Sequence, residues 1–148
     1  GASIEEVHFG AVSYNGVGLS PDEAALYVAD THTARLWAFD LAAPGKPRGP
    51  PRLVGTAPAD GLFDSLALTE RGAVSVATIG GGEAGMGGVT TYAQGEAPAF
   101  VPFPDPYVTN LCFGAPDRRT AFVTLSLSGQ VVATPWAEAG LALNFNPY

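Results

Sequence analysis

The sequence predicts an all-β chain built as three four-stranded blades, half of a six-bladed β-propeller. Three observations carry that expectation. The 148 residues contain 19 Gly and 13 Pro while 47% are hydrophobic, a balance of many turns and a real core. Apolar residues alternate in short runs rather than at helical spacing. The pattern also recurs: Asn15, Asp64 and Asn110 open equivalent segments 49 and 46 positions apart, near the length of a propeller blade.

Each element follows from this repeat. In the first unit Asn15-Gly-Val-Gly-Leu-Ser-Pro-Asp22 leads to Ala25-Leu-Tyr-Val-Ala-Asp30 and Arg35-Leu-Trp-Ala-Phe-Asp40. In the second, Asp64-Ser-Leu-Ala-Leu-Thr69 precedes Ala73-Val-Ser-Val-Ala-Thr78 and Gly88-Val-Thr-Thr-Tyr92. In the third, Asn110-Leu-Cys-Phe-Gly-Ala-Pro-Asp117 precedes Thr120-Ala-Phe-Val-Thr124 and Gln130-Val-Val-Ala-Thr134. Ser20-Pro-Asp and Ala115-Pro-Asp are turn signals between strands. The expected blades span about 15–56, 64–102 and 109–136, with a C-terminal closing segment; Ala137–Leu143 has room for one helical turn at most. Three blades cannot close a ring, so their end faces need covering.

Composition removes several functions. With 7 Lys and Arg against 14 Asp and Glu and a net charge of −7, the chain lacks the basic footprint of a nucleic-acid binder. No apolar run is long enough to span a membrane. Cys112 is the only cysteine, which excludes an internal disulfide and a cysteine metal site. The expectation is a soluble, cytoplasmic protein, with Gly1-Ala-Ser-Ile-Glu-Glu6 read as a processed end.

Innermost blade strands start at one mouth of the channel, so Asn15, Asp64 and Asn110 are the candidate site. Two amides and a carboxylate are hard oxygen donors suited to calcium or magnesium, and the carboxylate can deprotonate water. The same residue types also serve as plain turn formers. His32, in the Asp30-Thr-His-Thr loop, is a candidate substrate contact at that mouth. Other signals are weaker. Ser65 lacks the Gly-x-Ser-x-Gly elbow, and His8 with His32 cannot form a zinc cluster alone. The Gly80–Gly88 run lacks a phosphate-loop ending and reads as a flexible rim loop. Trp37 and Trp136 read as core.

Several segments together resemble the SMP-30/gluconolactonase/luciferin-regenerating-enzyme-like family. They are Asn15–Asp22 with Leu26-Tyr-Val-Ala-Asp-Thr31, Phe63-Asp-Ser-Leu-Ala-Leu68 with Gly87-Gly-Val-Thr90, Pro104–Asp117, and Pro135-Trp with Gly140-Leu-Ala-Leu-Asn-Phe145. The resemblance runs from about Tyr14 to Phe145 and is to the family's C-terminal half. It implies a six-bladed propeller with a divalent metal at the channel mouth, calcium first, with zinc, magnesium, manganese or iron as alternatives. It implies hydrolysis of a sugar lactone or another ester. Asn15 matches the family's metal-binding Asn. Asp64 matches its Asp, both a metal ligand and the catalytic group that positions or deprotonates water. Asn110 matches a Thr-Asn pair of structural role. The family's metal-binding Glu has no match here, Glu5 and Glu6 included. Ring completion is therefore expected from an N-terminal half or from a second copy in a homodimer. The competing readings are a non-catalytic binding module, a truncated relic, and a condensing enzyme of the strictosidine-synthase type. The last is disfavoured because its relatives lack the Asn and Asp pair.

Overall fold

The computed structural model describes residues 4–10 and 13–143. They form three antiparallel sheets in chain order. The first contains β1 (Tyr14–Leu19), β2 (Ala25–Asp30), β3 (Arg35–Ala43), β4 (Lys46–Pro47) and β5 (Arg52–Thr56). The second contains β6 (Leu62–Leu68), β7 (Val74–Ile79), β8 (Gly88–Tyr92) and β9 (Ala99–Pro102). The third contains β10 (Val108–Gly114), β11 (Thr120–Leu125) and β12 (Gln130–Pro135).

The expected four strands per sheet therefore hold only for the second. In the first, β3 is nine residues long. It outruns β2 and pairs with β5 near its start and with the two-residue β4 at its end. In the third, the chain leaves the sheet at Pro135, which has no N–H to continue a ladder. It then crosses to the second sheet, where Gly140 bridges Thr69 and the Leu141 N–H donates to the Leu68 carbonyl at 2.8 Å. Ala137–Leu143 makes no helical turn. Asn144 and Phe145 of the closing motif lie outside the described residues.

The repeat is visible in the first turn of each sheet. Ser20, Thr69 and Ala115 each accept a bond from the N–H three residues on, at 2.8, 3.0 and 3.0 Å. The closing residues Glu23, Gly72 and Arg118 all have positive φ. The Ser20 and Thr69 hydroxyls also accept from N–H groups at the entry to the next strand, Ala25 at 2.9 Å and Ala73 at 3.0 Å. Local polar chemistry thus sets the strand entries before any packing.

Two cores hold the sheets face to face. Ala29 and Leu36 of the first sheet pack on Phe63, Leu68, Val74 and Val76 of the second. Ala77 and Val89 pack on Val108, Leu111, Ala121, Val123 and Leu125 of the third. The second sheet lies between them, so Val74–Thr78 of β7 is buried on both faces. Its buried hydroxyls are paired, Ser75 with Thr91 at 3.0 Å and Thr78 with Thr90 at 2.7 Å, as buried polar groups must be. Tyr92 donates its hydroxyl to the Thr56 carbonyl and ties the first two sheets; burial pushes that phenol up to about 12.

The glycine run is more ordered than a flexible rim loop. Gly80 and Gly87 donate to the Pro106 and Asp105 carbonyls, both at 2.8 Å, and Glu83–Gly85 forms a short 3-10 turn. A Cβ on Gly87 would lie 2.8 Å from each of those carbonyls. The glycines permit a close backbone approach. Trp136 packs against Phe113, with ring centroids 5.9 Å apart, as expected of core. Trp37 instead lies half-buried on the outward face of the first sheet, with the Arg35 guanidinium 5.7 Å from its ring.

Candidate metal and catalytic site at the inner strands

β1, β6 and β10 lie side by side as the first strands of their sheets. The approach of β1 to β6 rests on Gly16, where a Cβ would sit 2.6 Å from the Asp64 carbonyl oxygen and 2.8 Å from the Leu66 nitrogen. Only a residue without a side chain admits that spacing. It places Asn15 beside Asp64 on adjacent strands. Both strands depart from regular register here, β1 between Tyr14 and Val17 and β6 between Phe63 and Leu66. Irregularities of this kind re-aim side chains next to functional sites.

Asp64 is half-buried. Burial raises its carboxyl above the usual range, while the Asn15 amide and the Ser65 N–H pull in the opposite direction. The exposed Asn15 donates its amide nitrogen to Thr31 Oγ1 at 3.3 Å. Thr31 begins the β2–β3 loop, and its N–H is held by the Ser13 carbonyl at 2.9 Å. His32 is the next residue, exposed on the same loop. The structure thus brings Asn15, Asp64 and the His32 loop to one end of the strands.

Asn110 stands apart from this group. Its Cα partner is Thr124, and cross-strand partners share a face. The neighbouring Leu111 and Val123 point to the second sheet, so Asn110 and Thr124 lie on the outward face of the third. No hydrogen bond among the described residues joins Asn110 to Asn15 or Asp64. The repeat position is shared, but the sheet carrying Asn110 has turned it away.

Asp105 escaped the sequence reading. It is 1% exposed and accepts bonds from the N–H groups of Tyr107, Leu127 and Ser128 and from the Ser128 hydroxyl. Burial pushes its carboxyl up, but these bonds outweigh burial and hold it below the usual carboxylate range. It clamps the β11–β12 turn to the linker before β10. Only its place in Pro-Asp-Pro hints at this, since Leu127 and Ser128 lie more than twenty positions away.

Two clefts flank the inner strands, and neither is lined by Asn15, Asp64, Asn110 or His32. One of about 920 Å³ lies at the opposite ends of the strands, among the Ser20–Asp22, Glu70–Ala73 and Ala93–Glu96 turns. The other, about 630 Å³, runs along the inner strands between Val17, Leu66, Leu111 and Leu141. The polar site is an open surface beside this apolar cleft.

Residues 1–127 match the family described as the SMP-30/Gluconolactonase/LRE-like region. The chain belongs to this family. A luciferin-regenerating enzyme is similar at 25% identity and TM-score 0.65, over 93% of this chain and 41% of its own. The calcium-binding protein regucalcin from Agrobacterium tumefaciens matches at 22% identity and TM-score 0.70, over 88% and 48%. A gluconolactonase from Xanthomonas campestris matches at 26% identity and TM-score 0.60, over 75% and 34%. The chain spans less than half the length of each. These likenesses give the three sheets a β-propeller fold.

An amide and a carboxylate suit a hard divalent cation in kind. In number they fall short, because no three His, Cys, Asp or Glu among the described residues form a metal-holding group. Among the described residues no helix is long and apolar enough to cross a membrane.

Proposed function

We propose that the chain is the metal-binding half of a propeller hydrolase that opens sugar lactones or related esters. The observation that carries this reading is the Asn15–Asp64 pair, set side by side on adjacent inner strands with the carboxylate half-buried. Asn15 and Asp64 would hold a divalent cation, calcium first, with zinc, magnesium, manganese or iron as alternatives. When bound, that cation supplies Lewis acidity toward the lactone carbonyl. Asp64 orients water and accepts its proton, and its raised pKa makes it a better base than an exposed aspartate. Asn15 is a neutral ligand that fixes position without adding charge. Of the two expected substrate contacts, His32 beside Asn15 remains proposed, and Asn110 on the outward face of the third sheet does not. The remaining ligands and blades come from further chain, either an N-terminal half or a second copy.

A binding module without catalysis is the second reading, favoured by the short donor set. Calcium titration and lactone hydrolysis separate the two. In the completed assembly Asp64→Ala should retain its β-sheet circular dichroism, lose the saturable calcium site and lose hydrolysis by about 10²–10⁴-fold. Asn15→Ala should mainly weaken calcium binding. Full turnover in Asp64→Ala overturns the assignment, and a wild-type assembly with no saturable site supports the module.

A further inference from the structure

The first sheet presents two faces. Tyr27, Ala29 and Leu36 point toward the second sheet. The register pairs Leu26 with Phe39 and Val28 with Trp37, which places those four side chains on the opposite face. That face is apolar, and no other sheet of the described residues packs on it. Even so, Phe39 is only 1% exposed.

Residues 4–10 and Tyr14 lie against it. The His8 ring sits 5.0 Å from that of Phe39, and its Nδ1 lies 2.9 Å from the Tyr14 hydroxyl. The Tyr14 ring meets Phe39 edge-on at 6.4 Å. Glu5 pairs with Lys46 just beyond the end of β3. The segment crosses the face as an irregular strap whose own Ile4 and Phe9 are exposed. Among the described residues the third sheet has no such cover: on its outward side Phe122 and Val131 are exposed.

The strap is a weak seal. Its ion pair is exposed on both sides, and such pairs contribute little. The rings that meet Phe39 are those of His8 and Tyr14, whereas Leu36 and Phe63 lie in a core shared by two packed sheets. A packed sheet would therefore outcompete it. We infer that residues 4–10 act as an internal competitor, holding the outward face of the first sheet closed against the third sheet of a second copy. This rests on ring completion as proposed above.

The test is a double variant, Glu5→Ala with His8→Ala, beside the milder Tyr14→Phe. Circular dichroism should be unchanged in both. At concentrations where the chain is monomeric, binding of a hydrophobic dye should at least double in the double variant and rise less in Tyr14→Phe. Across a concentration series, light scattering should show dimer forming at least tenfold more tightly. Adding Val131→Lys should reverse that association without altering dye binding. Unchanged dye binding overturns the seated strap. Raised dye binding with wild-type native mass at every concentration overturns competition, as does dimerisation that weakens or that survives Val131→Lys. Calcium binding by Asp64 is read separately, so none of these outcomes is confused with failure of the site.

Discussion

Asp64 is held where it is least comfortable as an anion. Burial favours its neutral form, and the Asn15 amide and Ser65 N–H only partly offset this. A carboxyl with a raised folded pKa binds protons more tightly in the native state than in the unfolded chain. Its ionisation therefore lowers stability as pH rises from the ordinary 3.8 through the folded value. Asp64→Asn removes that charge while keeping the shape. The variant should melt a little higher than wild type at neutral pH, and the gap should close below pH 3.8. A thermal melt series from pH 3 to 8 checks this; a variant less stable at neutral pH would show that the carboxylate is a structural ligand. Gain in stability with loss of activity is the pattern of a strained functional group.

At the scale of elements, the site depends on how closely β1 and β6 run. Gly16 sets that distance, since a Cβ there meets main chain and not a movable side chain. Gly16→Ala should force the strands apart and lower the melting temperature by several degrees. Calcium affinity of the assembly should fall with it, although no ligand has been changed. A melt with wild-type midpoint and wild-type calcium binding would refute the spacing argument. The sheets themselves were largely legible from sequence. Strand starts near 15, 64 and 109 came from alternation and from Ser-Pro-Asp and Ala-Pro-Asp turns, whose chemistry is local. That the third sheet has three strands among the described residues was not foreseeable, because the exit at Pro135 and the bridge from Gly140 to Thr69 are a tertiary choice.

The whole molecule poses a question of closure. Three sheets bury two interfaces and leave two outward faces, and the chain spans 34–48% of three solved relatives. Phe122, Leu127 and Val131 on and beside the third sheet are exposed apolar residues of the kind that mark a contact surface. The native mass of the purified chain at high concentration should approach twice 15.1 kDa, measured by light scattering with denaturing mass spectrometry alongside. One denatured species would identify paired copies, and two of similar size a severed longer chain. A monomer of 15.1 kDa at every concentration would remove both routes to a complete site.

The sequence by itself determined the all-β class and the repeat that sets Asn15, Asp64 and Asn110 at like positions, because alternation, turn residues and like positions in a repeat are properties of neighbours along the chain. Only the tertiary structure decided which repeat positions meet. Asn110 occupies the same place in its unit as Asn15 and Asp64, yet its register with Thr124 turns it to the outward face. Asp105, unremarkable in sequence, became a buried clamp because its donors arrive from β11–β12. The strap over Phe39 was equally invisible, since His8 and Phe39 meet only once the strands are folded. Long-range contacts of this kind are set by packing and register, and neither is written in any short run of residues.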